Sequence, residues 1–391
     1  MRLFVVGNIS SGKSYFIDKI KPLLPNYHIL KIDEYRKSYC DGSLEKEMQM
    51  WNEFPNEIIK HNNVIVELSG GGKVAENIIK LLKDNSFIVI YVDTDSNTCI
   101  ERSKDKDFKS TPYPEEFKES IEDTIKRLGT DFEKQIRTQW AKALKILKVK
   151  SNDDPVNLAL MQYHELFKLD EVLRNLKGSL FTFGSTGRGE MNISSDVDTY
   201  FLCKEDKDTI YELLSKEFDS VHLMQDEFVI RENGVLLEMN YIDDIKKAYH
   251  FYSTGNITNP YKTILKDDYN IINDLNIASK IEVNKTELLN FTIERLDYYV
   301  ESLKRLLLKN DEYKYYFHNN IVVHEYVKLR AFLKNVFEYS YLPLNAKSYL
   351  SNEEWKKVLY SFGDDMELHY KVVREMSDEI INEVRIKYNL K

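Results

Sequence analysis

The stretch that most constrains the fold is residues 7–14, where Gly7-Asn-Ile-Ser-Ser-Gly12-Lys13-Ser14 fits the pattern G-x-x-x-x-G-K-[ST]. It follows the apolar run LFVV and precedes an amphipathic segment, so the chain passes from strand to loop to helix. In such a loop the backbone N–H groups surround phosphates at a helix N-terminus, the lysine reaches the β- and γ-phosphates, and the hydroxyl is available to Mg²⁺. The stretch predicts a domain that binds a nucleoside triphosphate.

Residues 1–150 alternate short apolar runs (LFVVG, YHILKI, NVIVELS and FIVIYVD) with amphipathic helical stretches. This alternation predicts an α/β domain in three layers, with a parallel sheet covered by helices. Ser14 is the candidate Mg²⁺ ligand, and Lys13 is the candidate for stabilising charge during phosphoryl transfer. The candidate nucleotide-binding residues of this domain are Gly7, Ser10, Ser11, Gly12, Lys13, Ser14 and Tyr15.

The stretch KIDEYRKSY places Asp33 and Arg36 just after the second strand, where an acid can receive a hydroxyl proton. It resembles the P-loop kinases that phosphorylate hydroxyls, and DEYR is similar to the Asp-Asp-Tyr-Arg stretch of the phage polynucleotide 5′-kinase. The resemblance implies that Asp33 is the general base and that Arg36 holds an acceptor phosphate. The alternative is an ordinary turn with a solvated charge cluster.

Two further segments of this domain carry candidate residues. VIVELSGGGK ends a buried strand in Glu67, at the sheet edge where ligands of open α/β sheets collect. The segment from Tyr91 to Pro114 resembles the strand and Arg-bearing lid helix of these kinases, which implies that Arg102 contacts the transferring phosphates. Where the family's lid carries a second Arg, this chain has lysines, which are point charges and not bidentate forks. These lysines are Lys104, Lys106 and Lys109, and the alternative for each is a solvated position on a charged helix.

A second motif, FGSTGRGEMNISSDVDTYFL, runs from Phe183 to Leu202. Side chains alternate faces along a strand, so Asp196 and Asp198 project together and are able to converge on divalent metal ions. The preceding turn, Gly184-Ser185, lets backbone and hydroxyl approach a triphosphate closely. Arg188 lies near enough in sequence to help neutralise that triphosphate.

This run resembles the polymerase β-type nucleotidyltransferase superfamily, and within it the aminoglycoside nucleotidyltransferases, the minimal nucleotidyltransferases paired with toxins, and the regulatory uridylyl- and adenylyltransferases of glutamine synthetase. The resemblance implies that Gly184 and Ser185 bind nucleotide and that Asp196, Asp198 and a third acid on a neighbouring strand are catalytic metal ligands. The run GVLLEMNYID provides Glu238, with Asp243 as the fallback if the register is shifted. The alternatives are a solvated Asp-x-Asp strand edge and a folded but degenerate nucleotidyltransferase.

The chain divides into a P-loop kinase domain (1–150), an α+β polymerase β-like nucleotidyltransferase domain (151–275) and an α-helical C-terminal substrate-binding domain (276–391). The polar stretch KVKSNDDPVN marks the first boundary, and we expect the parts on either side of it to fold separately. The stretch HEYVKLRAFLKNVFEYSYLPLNAKSYL in the tail resembles the helical part of small-molecule nucleotidyltransferases, where a Tyr-x-Pro-x-x-Lys-like turn follows a helix. That resemblance implies that Lys347 contacts nucleotide phosphates and that Glu325 and Tyr326 line an acceptor pocket. The alternative is that each of them is an ordinary surface or core residue.

Composition bounds the function. The formal net charge of −9 argues against a protein that coats nucleic acid. The absence of a long apolar run or of signal-peptide anatomy predicts a cytoplasmic protein without membrane contact, and three separated cysteines support neither disulfides nor a zinc knuckle.

These features together favour a bifunctional phosphotransferase that uses Mg²⁺ and ATP, or another NTP, to phosphorylate a hydroxyl and to transfer a nucleoside monophosphate to an acceptor, which we expect to be a small molecule. RNA or DNA end processing and a protein-modifying or antitoxin-like regulator are the alternatives. The sequence does not indicate the oligomeric state.

Overall fold

The structure is a computed structural model, and it describes residues 1–104, 111–117, 119–254, 257–282, 284–337, 342–362 and 365–390. Contacts divide the chain into two compact units. The first comprises Met1–Ile245 and Asn259–Ile272, and the second comprises Lys246–Thr258 and Asn273–Lys391. In the part of the chain so described, no helix combines the length and the apolar character needed to cross a membrane.

The first sheet of unit one is parallel, with strand order β2-β3-β1-β4-β5. Its strands are β1 (Arg2–Val6), β2 (His28–Lys31), β3 (Val64–Leu68), β4 (Phe87–Val92) and β5 (Lys145–Val149). The three central strands are apolar on both faces, as expected for a sheet covered by helices on both sides. The predicted α/β layout of the N-terminal region is confirmed.

The helices of this part begin with α1, which starts at Lys13 directly after the glycine-rich loop. One face of the sheet, including Phe4, Val66 and Val89, packs with residues of α3, α4 and α7. The helices are α1 (Lys13–Ile20), α2 (Ile32–Tyr39), α3 (Leu44–Ile59), α4 (Gly72–Leu81), α5 (Ser96–Ser103), α6 (Ile121–Gly129) and α7 (Phe132–Gln139).

The opposite face of the parallel sheet belongs to a hydrophobic core that continues beyond residue 150. Leu3 and Ile90 of the sheet and Phe16 of α1 share this core with Leu166 of α8 (Leu160–Val172) and with Leu237 of the second sheet. Helix α8 is therefore buried on several sides, because it lies in a core to which both sheets contribute. The two sheets consequently belong to one compact unit.

The second sheet is mixed, with strand order β11-β6-β7-β10-β9-β8. Strands β7 and β10 are parallel, whereas the other neighbouring pairs are antiparallel. The elements are β6 (Gly178–Thr182), α9 (Gly184–Arg188), β7 (Val197–Cys203), α10 (Lys207–Glu217), β8 (Ser220–Met224), β9 (Glu227–Glu232), β10 (Val235–Ile242) and β11 (Ile264–Asp267).

The second unit is helical, as predicted for the C-terminal region. Helices α13, α14 and α17 enclose a core that includes Leu296, Tyr326 and Ile380. The helices are α11 (Tyr249–Thr254), α12 (Ile272–Ala278), α13 (Lys285–Leu308), α14 (Glu312–Leu333), α15 (Leu342–Tyr349), α16 (Asn352–Tyr360) and α17 (Met366–Tyr388).

Candidate functional site

The glycine-rich loop lies between β1 and α1. Ser10 and Gly12 both have positive φ angles, 60° and 95°, which curl the chain at the start of α1. The Lys13 ammonium donates to the carbonyl oxygens of Gly7 and Asn8, at 3.0 and 2.8 Å. The lysine side chain is thereby held against the backbone of the loop.

Ser14 and Glu67 meet at the carboxyl end of the sheet. The Ser14 hydroxyl donates to Glu67 Oε1 at 2.8 Å, and Glu67 Oε2 is buried without a hydrogen-bond partner. Oxygen donors of this kind suit Mg²⁺. Ser14 and Glu67 are therefore placed so that together they are able to hold a cation at the start of α1.

Arg102, near the end of α5, lies over the glycine-rich loop. Its Nη1 is 3.4 Å from the carbonyl oxygen of Ser11 and 3.5 Å from the hydroxyl of Ser151. Lys104 forms an ion pair with Glu101 at 2.7 Å, whereas Lys106 and Lys109 lie outside the described residues. Tyr15 is exposed, with the Lys19 ammonium 4.9 Å from the centre of its ring.

Asp33 and Arg36 lie one turn apart on α2, and the sequence did not identify their partners. The Arg36 guanidinium donates to Asp33 at 2.7 Å and to both carboxylate oxygens of Glu47, on α3, at 3.0 to 3.2 Å. It also donates to the Tyr113 hydroxyl at 3.0 Å. Glu47 is the larger omission, because nothing in its local sequence indicates a buried acid.

The three predicted acids of the second sheet converge. Glu238 on β10 is in register with Asp198 on the neighbouring parallel strand β7, and Asp196 immediately precedes β7. One carboxylate oxygen of each acid lies within 4.8 Å of one oxygen of the other two. Asp243, the fallback, lies one residue beyond β10 and is not part of this group.

Gly184 brings the turn at the start of α9 directly onto this acidic group. Its φ is +57°, and a Cβ at this position would lie 2.1 Å from Asp198 Oδ2. The Asp198 N–H donates to the Thr186 hydroxyl at 3.2 Å, and the Ser185 hydroxyl is buried without a partner. The turn therefore requires glycine and presents Ser185 beside the acids.

The electrostatics of the group favour a cation. Burial, with the neighbouring carboxylates of Asp196 and Glu238, raises the pKa of Asp198 to about 7. Burial also raises the pKa of Glu238, as do the charges of Glu227 and Asp196 and a hydrogen bond with Glu227. Carboxylates crowded in this way repel each other until a cation binds, so the three acids fit a divalent metal.

Two contacts, one beside Glu238 and one at the end of α9, were not predicted from the sequence. Glu227, on β9, is a fourth acid next to Glu238, and alternation along an antiparallel pair would have been the only signal for it. Lys145, on β5, donates to the carbonyl oxygen of Gly189 at 2.6 Å, at the C-terminal end of α9. Arg188 pairs with Glu190 at 3.1 Å, and its side chain is largely buried.

The helical unit places its three predicted residues differently from one another. Lys347 is exposed on α15. Glu325 is fully buried on α14 and forms ion pairs with Arg295 and Lys328, each at 3.1 Å. Tyr326 is buried and accepts a hydrogen bond from Arg330 at 3.1 Å. Glu325 and Tyr326 therefore have partners inside this unit.

Comparison with known proteins identifies the central region. A family model described as a nucleotidyltransferase domain matches residues 168–254, which include the three acids and the Gly184 turn. No curated protein matches the chain at a significant level. The model match and the acidic group together identify the protein as a transferase that contains a nucleotidyltransferase domain.

Solved structures with some likeness include two shikimate kinases. The enzyme from Aquifex aeolicus is 20% identical, with 44% of this chain and 99% of that chain covered and a TM-score of 0.29. The enzyme from Acinetobacter baumannii, in complex with shikimate, is 15% identical, with 44% and 93% covered and a TM-score of 0.30. A nucleotidyltransferase-like protein from Exiguobacterium sibiricum is 10% identical, with 57% and 74% covered and a TM-score of 0.27.

Proposed function

We propose that the chain is a bifunctional phosphotransferase, in which the N-terminal part transfers the γ-phosphoryl group of an NTP to a hydroxyl and the central domain transfers a nucleoside monophosphate. The observation that carries the nucleotidyltransferase half is the convergence of Asp196, Asp198 and Glu238 within 4.8 Å, directly against the Gly184 turn. Mutual repulsion among three clustered acids opposes folding, so packing alone does not explain why they lie together at this turn.

In the nucleotidyltransferase site, Asp196, Asp198 and Glu238 would hold Mg²⁺, which when bound supplies charge neutralisation at the α-phosphate and lowers the pKa of the acceptor hydroxyl. Gly184 and Ser185 would bind the triphosphate through backbone and hydroxyl groups. Arg188 lies four residues further on and adds positive charge to the turn. The acceptor oxygen then forms the new bond to the α-phosphorus as pyrophosphate leaves.

In the kinase site, the glycine-rich loop would bind the triphosphate, with Lys13 and Arg102 stabilising the charge of the transferring phosphoryl group. Ser14 and Glu67 would hold Mg²⁺, and Asp33 would take the proton of the acceptor hydroxyl. The support for this half is the loop geometry, the 2.8 Å bond between Ser14 and Glu67, and the position of Arg102 over the loop.

A small-molecule acceptor is our preferred reading for both halves, because the net charge of −9 opposes extended contact with nucleic acid. A hydroxyl acceptor is consistent with the position of Asp33, a carboxylate on α2 just beyond β2 that is able to take a hydroxyl proton. We further propose the three-domain division near residues 150 and 275, in which the first two domains share one hydrophobic core, a role for Lys347 on nucleotide phosphates, and a cytoplasmic location.

Two labels distinguish the two halves. With α- and γ-labelled ATP in parallel, against small hydroxylated compounds, RNA ends and lysate proteins, Asp196→Ala/Asp198→Ala should lose α-label transfer and keep γ-label transfer. Lys13→Ala should do the reverse, since each site has its own phosphate-binding groups. The loss should exceed about 100-fold in each case. Asp243→Asn, just beyond the same strand as Glu238, is the matched control and should retain both activities.

Retention of α-label transfer in the double variant would show that the acidic group is structural. Retention of γ-label transfer in Lys13→Ala would remove the kinase assignment. Loss of both labels in either variant, with the fold intact by circular dichroism, would contradict the independence of the two sites and leave the assignments themselves in place.

A further inference from the structure

The acceptor side of the kinase site contains a hydrogen-bonded group that its sequence motif does not anticipate. It consists of Asp33, Arg36, Glu47, Trp51 and Tyr113. Arg36 and Glu47 are buried, whereas Asp33 and Tyr113 reach the surface. We call this set the Arg36 cluster.

The guanidinium of Arg36 is already engaged on each of its nitrogens. Nε and Nη2 donate to the Glu47 carboxylate at 3.0 to 3.2 Å, in the two-pronged geometry by which arginine binds carboxylates and phosphates. Nη1 donates to Asp33 at 2.7 Å and to the Tyr113 hydroxyl at 3.0 Å. Of the five N–H groups of an arginine, four therefore have partners. The fork that would hold a phosphate is occupied by Glu47.

Glu47 is fixed in this position. It is only 2% exposed, and its Oε1 also accepts a hydrogen bond from the Trp51 indole at 2.9 Å. Moving Glu47 aside would leave a buried carboxylate without its charge partner, which is one of the most costly changes inside a protein. An anionic acceptor would have to displace Glu47 to reach the arginine fork.

The charge of the cluster also disfavours an anion. One guanidinium faces two carboxylates, so the cluster is net negative when Asp33 and Glu47 are ionised. A phosphate or carboxylate next to the reacting hydroxyl would lie against Asp33, and like charges in contact strongly oppose binding. A neutral or aminated group meets no such repulsion.

Exposed aromatic faces complete this side of the site. The Tyr113 ring lies 4.3 Å from the guanidinium carbon of Arg36 and is 40% exposed. The Trp51 ring stacks on Phe117 with centroids 5.8 Å apart, and Phe117 is 45% exposed. Aromatic faces with carboxylates beside them suit a hydroxylated ring that is uncharged or positively charged.

We infer that the acceptor of the kinase site is a hydroxylated ring compound without a phosphate or carboxylate beside its reacting hydroxyl, because Glu47 neutralises the arginine that would otherwise bind one. This inference rests on the proposed kinase function. The acceptor oxygen forms a bond to the γ-phosphorus, the bond from that phosphorus to the β,γ-bridging oxygen breaks with its electron pair leaving on ADP, and the hydroxyl proton passes to Asp33.

The test uses acceptors that differ in charge on a similar frame. The full-length protein is incubated with γ-labelled ATP and one acceptor at a time, with Lys13→Ala as the background. In the first set, adenosine is compared with the anionic adenosine 3′-monophosphate. In the second set, 2-deoxystreptamine and myo-inositol are compared with the anionic quinate. We expect kcat/KM for the non-anionic compounds to exceed that for their anionic counterparts by about tenfold or more. Preference for the anionic members, or phosphorylation of no compound, would overturn the inference.

Glu47→Gln supplies the second measurement, because it keeps the side-chain shape but removes the negative charge and one of the two acceptor oxygens that occupy the arginine fork. The ratio of kcat/KM values should shift by about tenfold towards the anionic acceptors. Glu57→Gln, on the same helix and outside the cluster, is the matched control and should leave the ratio unchanged. An unchanged ratio in Glu47→Gln would also overturn the inference. If Glu47→Gln fails to fold, the wild-type panel still decides.

The failure of this inference and that of the kinase assignment give different results. If γ-label transfer or ATP hydrolysis depends on Lys13 and anionic acceptors are preferred, the kinase assignment holds and the inference alone is wrong. If no γ-phosphate turnover depends on Lys13, the kinase assignment is wrong and the inference falls with it.

Discussion

Single atoms decide whether the Gly184 turn can approach its acids. The ideal Cβ position at Gly184 lies 2.1 Å from the carboxylate oxygen of Asp198, well inside contact distance. The same residue has a φ of +57°, in the left-handed region that side chains disfavour. Two independent constraints, the close approach to Asp198 and the positive φ, therefore require glycine at position 184. A glycine that has a positive φ but no close neighbour can serve as a control for the second constraint.

We expect Gly184→Ala to reduce α-label transfer by about 100-fold or more, because the methyl group must push the turn away from Asp198. The matched control is Gly234→Ala, since Gly234 also has a positive φ, +78°, but has nothing within 4 Å of its ideal Cβ. Both variants should lose about 1–3 kcal/mol of stability through backbone strain. Equal transfer activity in the two variants would contradict a role for the close approach.

At the same scale, the sequence predicted the acids and missed their neighbours. Asp196 and Asp198 are one residue apart, so strand alternation alone places them together. Glu238 needed the superfamily resemblance, and its pairing with Asp198 depends on strand register that no local pattern encodes. Glu47 lies 11 residues from Arg36, across a turn and on another helix, so its ion pair follows only from tertiary packing.

At the scale of elements, the strands with apolar runs were predicted and the polar ones were not. β1 to β4, β6, β7, β9 and β10 correspond to apolar or alternating runs in the sequence. β5 carries two lysines, β8 is a half-exposed edge strand and β11 ends in Lys266 and Asp267, so their patterns are too weak to distinguish from loops. The missed β5 is the strand that carries Lys145 to Gly189.

Helix α8 carries a titratable contact that we expect to set part of the acid sensitivity of the fold. His164 Nδ1 lies 2.6 Å from the Tyr27 hydroxyl, and burial, with the N-terminal amine and Lys168, lowers the His164 pKa from 6.5 to about 4. The raising effect of Glu232 is smaller. The folded state therefore holds the neutral imidazole, whereas the unfolded chain binds a proton below pH 6.5.

Below pH 6.5 the unfolded state binds a proton at His164 that the folded state does not bind. The contribution of the neutral His164 to the free energy of unfolding is therefore fully present above pH 6.5 and is lost as the pH falls towards about 4. We expect His164→Gln, which keeps a polar partner for Tyr27, to show a shallower decrease in the free energy of unfolding across this window. Urea denaturation at a series of pH values measures it. Parallel curves for the two proteins would assign the acid sensitivity to other groups.

At the scale of the whole molecule, the shared core changes what the first boundary means. The polar stretch at 148–157 does interrupt the pattern of the sequence, and we predicted separate folding on either side of it. In the structure, however, Leu3 and Ile90 of the parallel sheet belong to the same core as Leu166 of α8. The amino-acid composition does not reveal a hydrophobic core that spans a boundary, because the segments on both sides of the boundary each contain enough apolar residues to form a core.

Side-chain contacts reinforce the shared core. Asn85 is buried and donates to the carbonyl oxygens of Tyr261 and Ile264, at 2.7 and 2.9 Å, which joins the start of β4 to the segment leading into β11. Cutting the chain at residue 150 would exchange these hydrogen bonds for bonds to water, at a net cost of about 0.5–1.5 kcal/mol each, and would also expose apolar surface.

We therefore expect residues 1–150, expressed alone, to be insoluble or to bind a hydrophobic dye, since the apolar residues that they contribute to the shared core would meet water. The full chain should show coincident unfolding of the two proposed nucleotide sites, because a core shared by both sheets couples their stability. ATP-dependent shifts in thermal unfolding, measured on Lys13→Ala and on Asp196→Ala/Asp198→Ala, report the two sites separately. A soluble 1–150 fragment that unfolds cooperatively and is stabilised by ATP would show instead that the two domains fold independently. In that case the residues of the shared core would be in contact without making the two domains unfold together.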